Sequence, residues 1–118
     1  MPDDDDLELT AVLSALAGVR RGDAVAVLGQ AQLLRAVLQA GTGVELIAAA
    51  PAGVVVAVAA YDVPSAVLLL GPGGRLVAVA ADAGAAGRTA RTHGLLLRHL
   101  EPVAGRVAWS AVRPTVDS

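Results

Sequence analysis

Cysteine is absent from this 118-residue sequence. Disulfides, thiol nucleophiles and cysteine-ligated metals are therefore excluded, and the redox compartment stays open. Phenylalanine is absent too, and Trp, Tyr and Met occur once each. Yet 55% of the residues are hydrophobic, so the core has to be built from Ala, Val and Leu. Lysine is missing, and all 9 basic residues are Arg. With 11 acidic residues the net charge is −2, which gives no electrostatic case for a nucleic-acid partner. Long apolar runs are also missing. The longest uncharged stretch, Leu46–Tyr61, is broken by Pro51 and Gly53 and falls short of the ~20 residues that span a bilayer. The acidic start, Asp3–Asp6, is the opposite of a signal peptide's basic opening. The expectation is a soluble, cytoplasmic protein with no membrane partner.

What is present is organised around Val63–Ala80. Pro64 and Ser65 suit a helix start, because proline lacks an N–H that would be unpaired there. Leu68, Leu69 and Leu70 supply an apolar face. Gly71-Pro72-Gly73-Gly74 then stops the helix and reverses the chain. Leu76–Ala80 is continuously apolar, the pattern of a strand covered on both faces. The spacing upstream predicts a helix over Leu7–Ala17, a strand over Ala24–Leu28 and a helix over Gln30–Ala40 that is capped by Gly41. In that second helix Leu33, Leu34, Val37 and Leu38 face inward, and Arg35 and Gln39 outward. Strands follow at Val44–Ala48, after Gly43, and at Val54–Ala59. Downstream come a helix over Ala85–Leu100 and a last strand, Arg106–Val112, carrying Trp109. Helix and strand alternate, which implies an α/β domain with a mostly parallel sheet. One domain, 7–113, lies between an acidic, disordered lead-in, 1–6, and a tail, 114–118.

Leu70-Gly71-Pro72-Gly73-Gly74-Arg75-Leu76-Val77 resembles the turn into the fifth strand of class I, S-adenosylmethionine-dependent methyltransferases. Gly22–Gly29 is similar to that family's first strand and the start of its glycine loop, and Val44–Ile47 to its second strand. The resemblance implies a three-layer, Rossmann-like methyltransferase fold with a reduced sheet of about five strands. It also shows what is missing. Val27 stands where the family has an acidic residue. Ala31 and Leu33 replace two loop glycines. Ala48-Ala49-Ala50 fills the place of the acid that holds the ribose. The third strand is skipped, and Gly53 replaces the acid that opens the fourth. Each loss removes a hydrogen bond to a polar ligand, typically ~1–3 kcal/mol. The expectation is a degenerate domain with no cofactor and no catalytic residue, and with a vestigial crevice at Gly29, Ala49, Tyr61 and Asp62.

Tyr61 and Asp62 sit at the carboxyl end of a strand, where open α/β sheets bind ligands. Asp62 also suits the cap of the following helix, with Tyr61 packed at its edge, and capping is the favoured reading. His93 and His99, read as six apart on one helix, do not make a metal pair. Arg88, Arg91 and Arg98, read along one helical side, form either a solvated face or a surface for an anionic partner. No nucleophile elbow or phosphate-binding loop occurs. Loss of the third strand leaves the second at a sheet edge, and open edges pair with other chains. The functional expectation is a non-catalytic interaction domain that forms a homo-oligomer or supports a larger protein partner. The alternatives are a small-molecule binder or divergent methyltransferase using the crevice, and an RNA or DNA accessory protein.

Overall fold

The computed structural model describes residues 4–29, 31–42 and 44–115. The elements run α1 (Asp4–Ala17), β1 (Ala24–Leu28), α2 (Gln32–Thr42), β2 (Glu45–Leu46) and β3 (Ala52–Ala57). A 3₁₀ turn (Ala60–Asp62) then leads into α3 (Val63–Leu69). The chain continues through β4 (Leu70–Ala80), α4 (Ala83–Thr92), β5 (Leu96–Val103) and β6 (Arg106–Val112). The six strands form one sheet in the order β2-β1-β3-β4-β6-β5. The first four are parallel, and β6 and β5 close the sheet as an antiparallel hairpin.

Small residues explain how the layers close. Side chains alternate between faces along a strand. Val25, Val27, Val54, Val56, Val77 and Val79 point to one face, where Leu9, Leu13 and Ala17 of α1 and Leu34 and Leu38 of α2 cover them. Ala26, Val55, Ala57, Leu76, Ala78, Trp109 and Ala111 point to the other, against Val63 and Ala66 of α3 and Ala86 and Ala90 of α4. The three-layer α/β expectation holds.

Several element boundaries are corrected. α1 begins at Asp4, before the expected start at Leu7, which sets its acidic turn at the positive end of the helix. β2 is cut to Glu45–Leu46. Gly41 lies inside α2 rather than capping it, and the expected roles of Gln30 and Gly43 lie outside the described residues. The expected helix Ala85–Leu100 ends at Thr92, with Gly94 at φ +68°. The leucine-rich segment after it becomes β5 because it finds a partner in β6. The sheet therefore has six strands where about five were expected, and β5, not β6, is its far edge.

The Gly71–Gly74 segment is an excursion within β4 rather than a turn between elements. Leu70 pairs with Ala52, the register slips, and pairing resumes at Arg75 with Val54. The chain there is too crowded for side chains. A methyl group added at Gly74 would sit 2.9 Å from the Gly71 carbonyl oxygen and 3.1 Å from that of Ala52. Arg113 pins the excursion from below. Its backbone N–H donates to Gly74 O at 2.9 Å, and its guanidinium donates to Leu70 O at 2.7 Å.

Trp109 is 1% exposed, and its indole Nε1 has no hydrogen-bond partner among the described residues. Trp109→Ala should cost about 3–5 kcal/mol in urea denaturation. Trp109→Phe should cost well under half of that loss, because the N–H it deletes is already unpaired. Equal losses would contradict this packing.

Candidate functional site

The carboxyl ends of β1, β2 and β3 open on the same side of the sheet. β1 is stopped there by Gly29, whose φ of +92° belongs to the left-handed region that favours glycine. The 3₁₀ turn after β3 swings Asp62 back over this loop. A methyl group on Gly29 would lie 3.1 Å from Asp62 Oδ2. Gly29 and Asp62, far apart in sequence, are thus brought together at the carboxyl ends of the strands.

The Asp62 carboxylate is the unexpected feature. It stands at the N-cap position of α3, yet makes no side-chain cap bond. Its backbone is already right-handed helical (φ −86°, ψ −10°), because the 3₁₀ turn runs directly into α3. A capping residue normally takes an extended conformation, which aims its oxygen at the first helical N–H groups. Here Oδ2 is instead buried without a hydrogen-bond partner among the described residues. The capping expectation is therefore corrected. So is the packing expected of Tyr61, which is 83% exposed.

Arg35 departs from expectation as well. Read as outward on α2, it folds back under the loop. Its Nη2 donates to Val27 O at 2.7 Å and to Gly29 O at 2.9 Å. A guanidinium thus satisfies carbonyl acceptors at the end of β1. A long side chain on a partly exposed helix face can reach such acceptors, and helical periodicity alone does not reveal it. Ala48–Ala50 forms an exposed bend leading to a cis Ala50–Pro51 bond. Ala49 thus lies in the segment joining β2 to β3, with no acceptor on its side chain, and Val27 is a buried core residue.

The other flagged residues separate. Arg88 and Arg91 are exposed on α4, whereas Arg98 lies on β5. The single helical side carrying three arginines does not exist. His93 is the C-cap of α4. His99 is on β5, with Nδ1 3.2 Å from Ser110 Oγ. Among the described residues no group of three His, Asp or Glu side chains is placed to hold a metal ion.

The sequence matches no protein-family model and no curated protein. Solved structures do match in shape. One is a chain of the complex between the Trm112 methyltransferase activator of Haloferax volcanii and a protein designated a methyltransferase. It has a TM-score of 0.71 and 12% identity, over 93% of this chain and 92% of that one. An RNA methyltransferase from Salinibacter ruber, solved with S-adenosyl-L-homocysteine, has a TM-score of 0.67 and 14% identity, over 100% of this chain and 97% of that one. The cyclase SpnF has a TM-score of 0.64 and 11% identity, over 94% of this chain and 81% of that one. The fold is that of the class I methyltransferases. Among the described residues β2 is one edge of the sheet and β5 the other.

The lone carboxylate yields a comparison within one molecule. Asp82 caps α4 by accepting from Ala85 N at 2.8 Å, so Asp82→Ala should cost about 1 kcal/mol. Asp62→Ala should leave stability unchanged or raise it, since it relieves a buried oxygen with no bond to lose among the described residues. Thermal denaturation of the two variants side by side checks this. A larger loss at Asp62 would contradict the geometry.

Proposed function

We propose that this chain is a non-catalytic, methyltransferase-like interaction domain that associates with a copy of itself or supports a larger protein partner. The carrying observation is the far edge of the sheet. β5 is exposed along nearly its whole length. Leu96, Leu97 and Leu100 are 53%, 37% and 42% exposed on it. The protruding leucines offer an apolar surface to a partner, while the bulge at Arg98, together with Glu101 and Pro102, limits backbone pairing along this edge. The chemistry of the crevice supports the non-catalytic half of the reading. Side chains of Val27, Ala48, Ala49 and Ala50 offer no acceptor to ribose hydroxyls or an amino group, and Arg35 places positive charge beneath the loop. The residues therefore do not suit an adenosyl cofactor, and no methyl-transfer step is derived for them. The Haloferax structure, in which a methyltransferase and an activator form a complex, supports partner binding by analogy of fold.

One observation favours a second reading, a small-molecule site in the crevice. Asp62 Oδ2 is buried, unpartnered among the described residues and close to Gly29. A ligand donor, such as an amine or a hydroxyl, would satisfy it. The cyclase SpnF shows that proteins of this fold are not confined to one activity.

Light scattering over a concentration series tests the first reading. The chain should be larger than a monomer, and Leu97→Glu or Leu100→Glu should reduce its mass without unfolding it. β5 is the place for such charges, because Val107 on β6 pairs with strands on both sides. A chain that is monomeric when purified, and of monomer size in cell extract, contradicts the proposal.

A further inference from the structure

We propose that a second site, for a small phosphate-type oxyanion, lies at the opposite end of the sheet from the glycine loop. A cavity of about 350 Å³ opens there, lined by Gly53, Gly73, Arg75, Arg98, His99, Ser110 and Val112. That volume falls in the range of small-molecule sites. Two guanidiniums, an imidazole and a hydroxyl line it, and no carboxylate does. The chain as a whole is acidic, at −2, so this local excess of donors runs against its overall charge.

The backbone gathers these groups. Successive residues of a regular strand point to opposite faces, so Arg98 and His99 should not share a cavity. They do because β5 carries a bulge. Leu97 pairs with Ala111 and His99 with Ser110, leaving Arg98 as the extra residue. Such bulges re-aim side chains and occur beside functional sites. His99 is then fixed from behind. Ser110 is 1% exposed, and its Oγ lies 3.2 Å from His99 Nδ1. When the hydroxyl donates to Nδ1, the proton resides on Nε2, which becomes a donor for an incoming ligand.

Arg75 enters from β4. Its Nη1 reaches the carbonyl oxygen of Leu16, at the end of α1, at 3.5 Å. The same atom packs on Gly18, where a methyl group would sit 2.8 Å from it. The guanidinium fork carries further N–H donors. Gly53 and Gly73 bring bare backbone to the wall. Two planar donor forks and an imidazole lining one cavity suit an anion with several acceptor oxygens. Phosphate fits that description, free or as the end of a small organic molecule.

The test is an amide NMR titration of the full chain with inorganic phosphate and with glycerol 3-phosphate. Saturable shifts confined to residues 73–75, 98–100 and 110–112 are expected, with a midpoint below about 10 mM. Arg98→Ala and His99→Ala, both at exposed edge positions, should each weaken binding by about tenfold. Arg88→Ala, on α4, should not. Tighter binding of the organic phosphate assigns a metabolite, and tighter binding of inorganic phosphate assigns the free ion. Either outcome supports the site. Absence of saturation, shifts centred on Gly29 and Asp62, or indifference to both β5 substitutions would overturn it.

Discussion

Val54, Val55, Val56 and Ala57 are all buried, and so are Leu76, Val77, Ala78 and Val79 beside them. Two adjacent strands sealed on both faces leave their backbone groups no water to bond, so each must complete the other's ladder. With no phenylalanine to fill space, the helices have to approach that pair closely on small side chains. The position of every other element follows from this. α1 and α2 cover one face, α3 and α4 the other, and the register slip at Gly71–Gly74 adjusts the entry of β4 to its neighbour. The cost of an error in this layer is that of a cavity in a close-packed core of small side chains.

Polar chemistry is displaced to the two ends of that dry layer. At the carboxyl ends, beside Gly29, the Arg35 guanidinium bonds to the carbonyls of Val27 and Gly29, and Asp62 Oδ2 is buried with no hydrogen-bond partner among the described residues. At the amino ends a cavity collects arginine, histidine and serine around a strand bulge. Such a frame depends on Val, Ala and Leu packing and places few demands on the polar groups at its ends. Function therefore has to be argued from the groups present and not from the fold.

Much of this frame is legible in the residues. Ala24–Leu28 and Arg106–Val112 are found with the ends that the sequence implies, because each is a short apolar run bounded by glycine, proline or charge. Leu96–Val103 is not legible as a strand. Its leucines continue the spacing of the preceding helix, one glycine is tolerable in a helix, and only pairing with β6 decides the matter. Non-local pairing leaves no local signature. Gly29 and Asp62 do meet, but the helical approach of the 3₁₀ turn, which denies Asp62 its cap bond, cannot be seen in the sequence. Nor can the reach of Arg35. The cation-lined cavity was hidden for the same reason as β5, since Arg98 and His99 had been read onto a helix.

The central claim is that the frame of a methyltransferase persists here without the grip on an adenosyl group. Isothermal titration of the purified chain with S-adenosylmethionine and S-adenosylhomocysteine addresses it most directly. The account predicts no saturable heat at ligand concentrations up to about 1 mM. Binding of either compound in the micromolar range, weakened by Asp62→Ala, would contradict it.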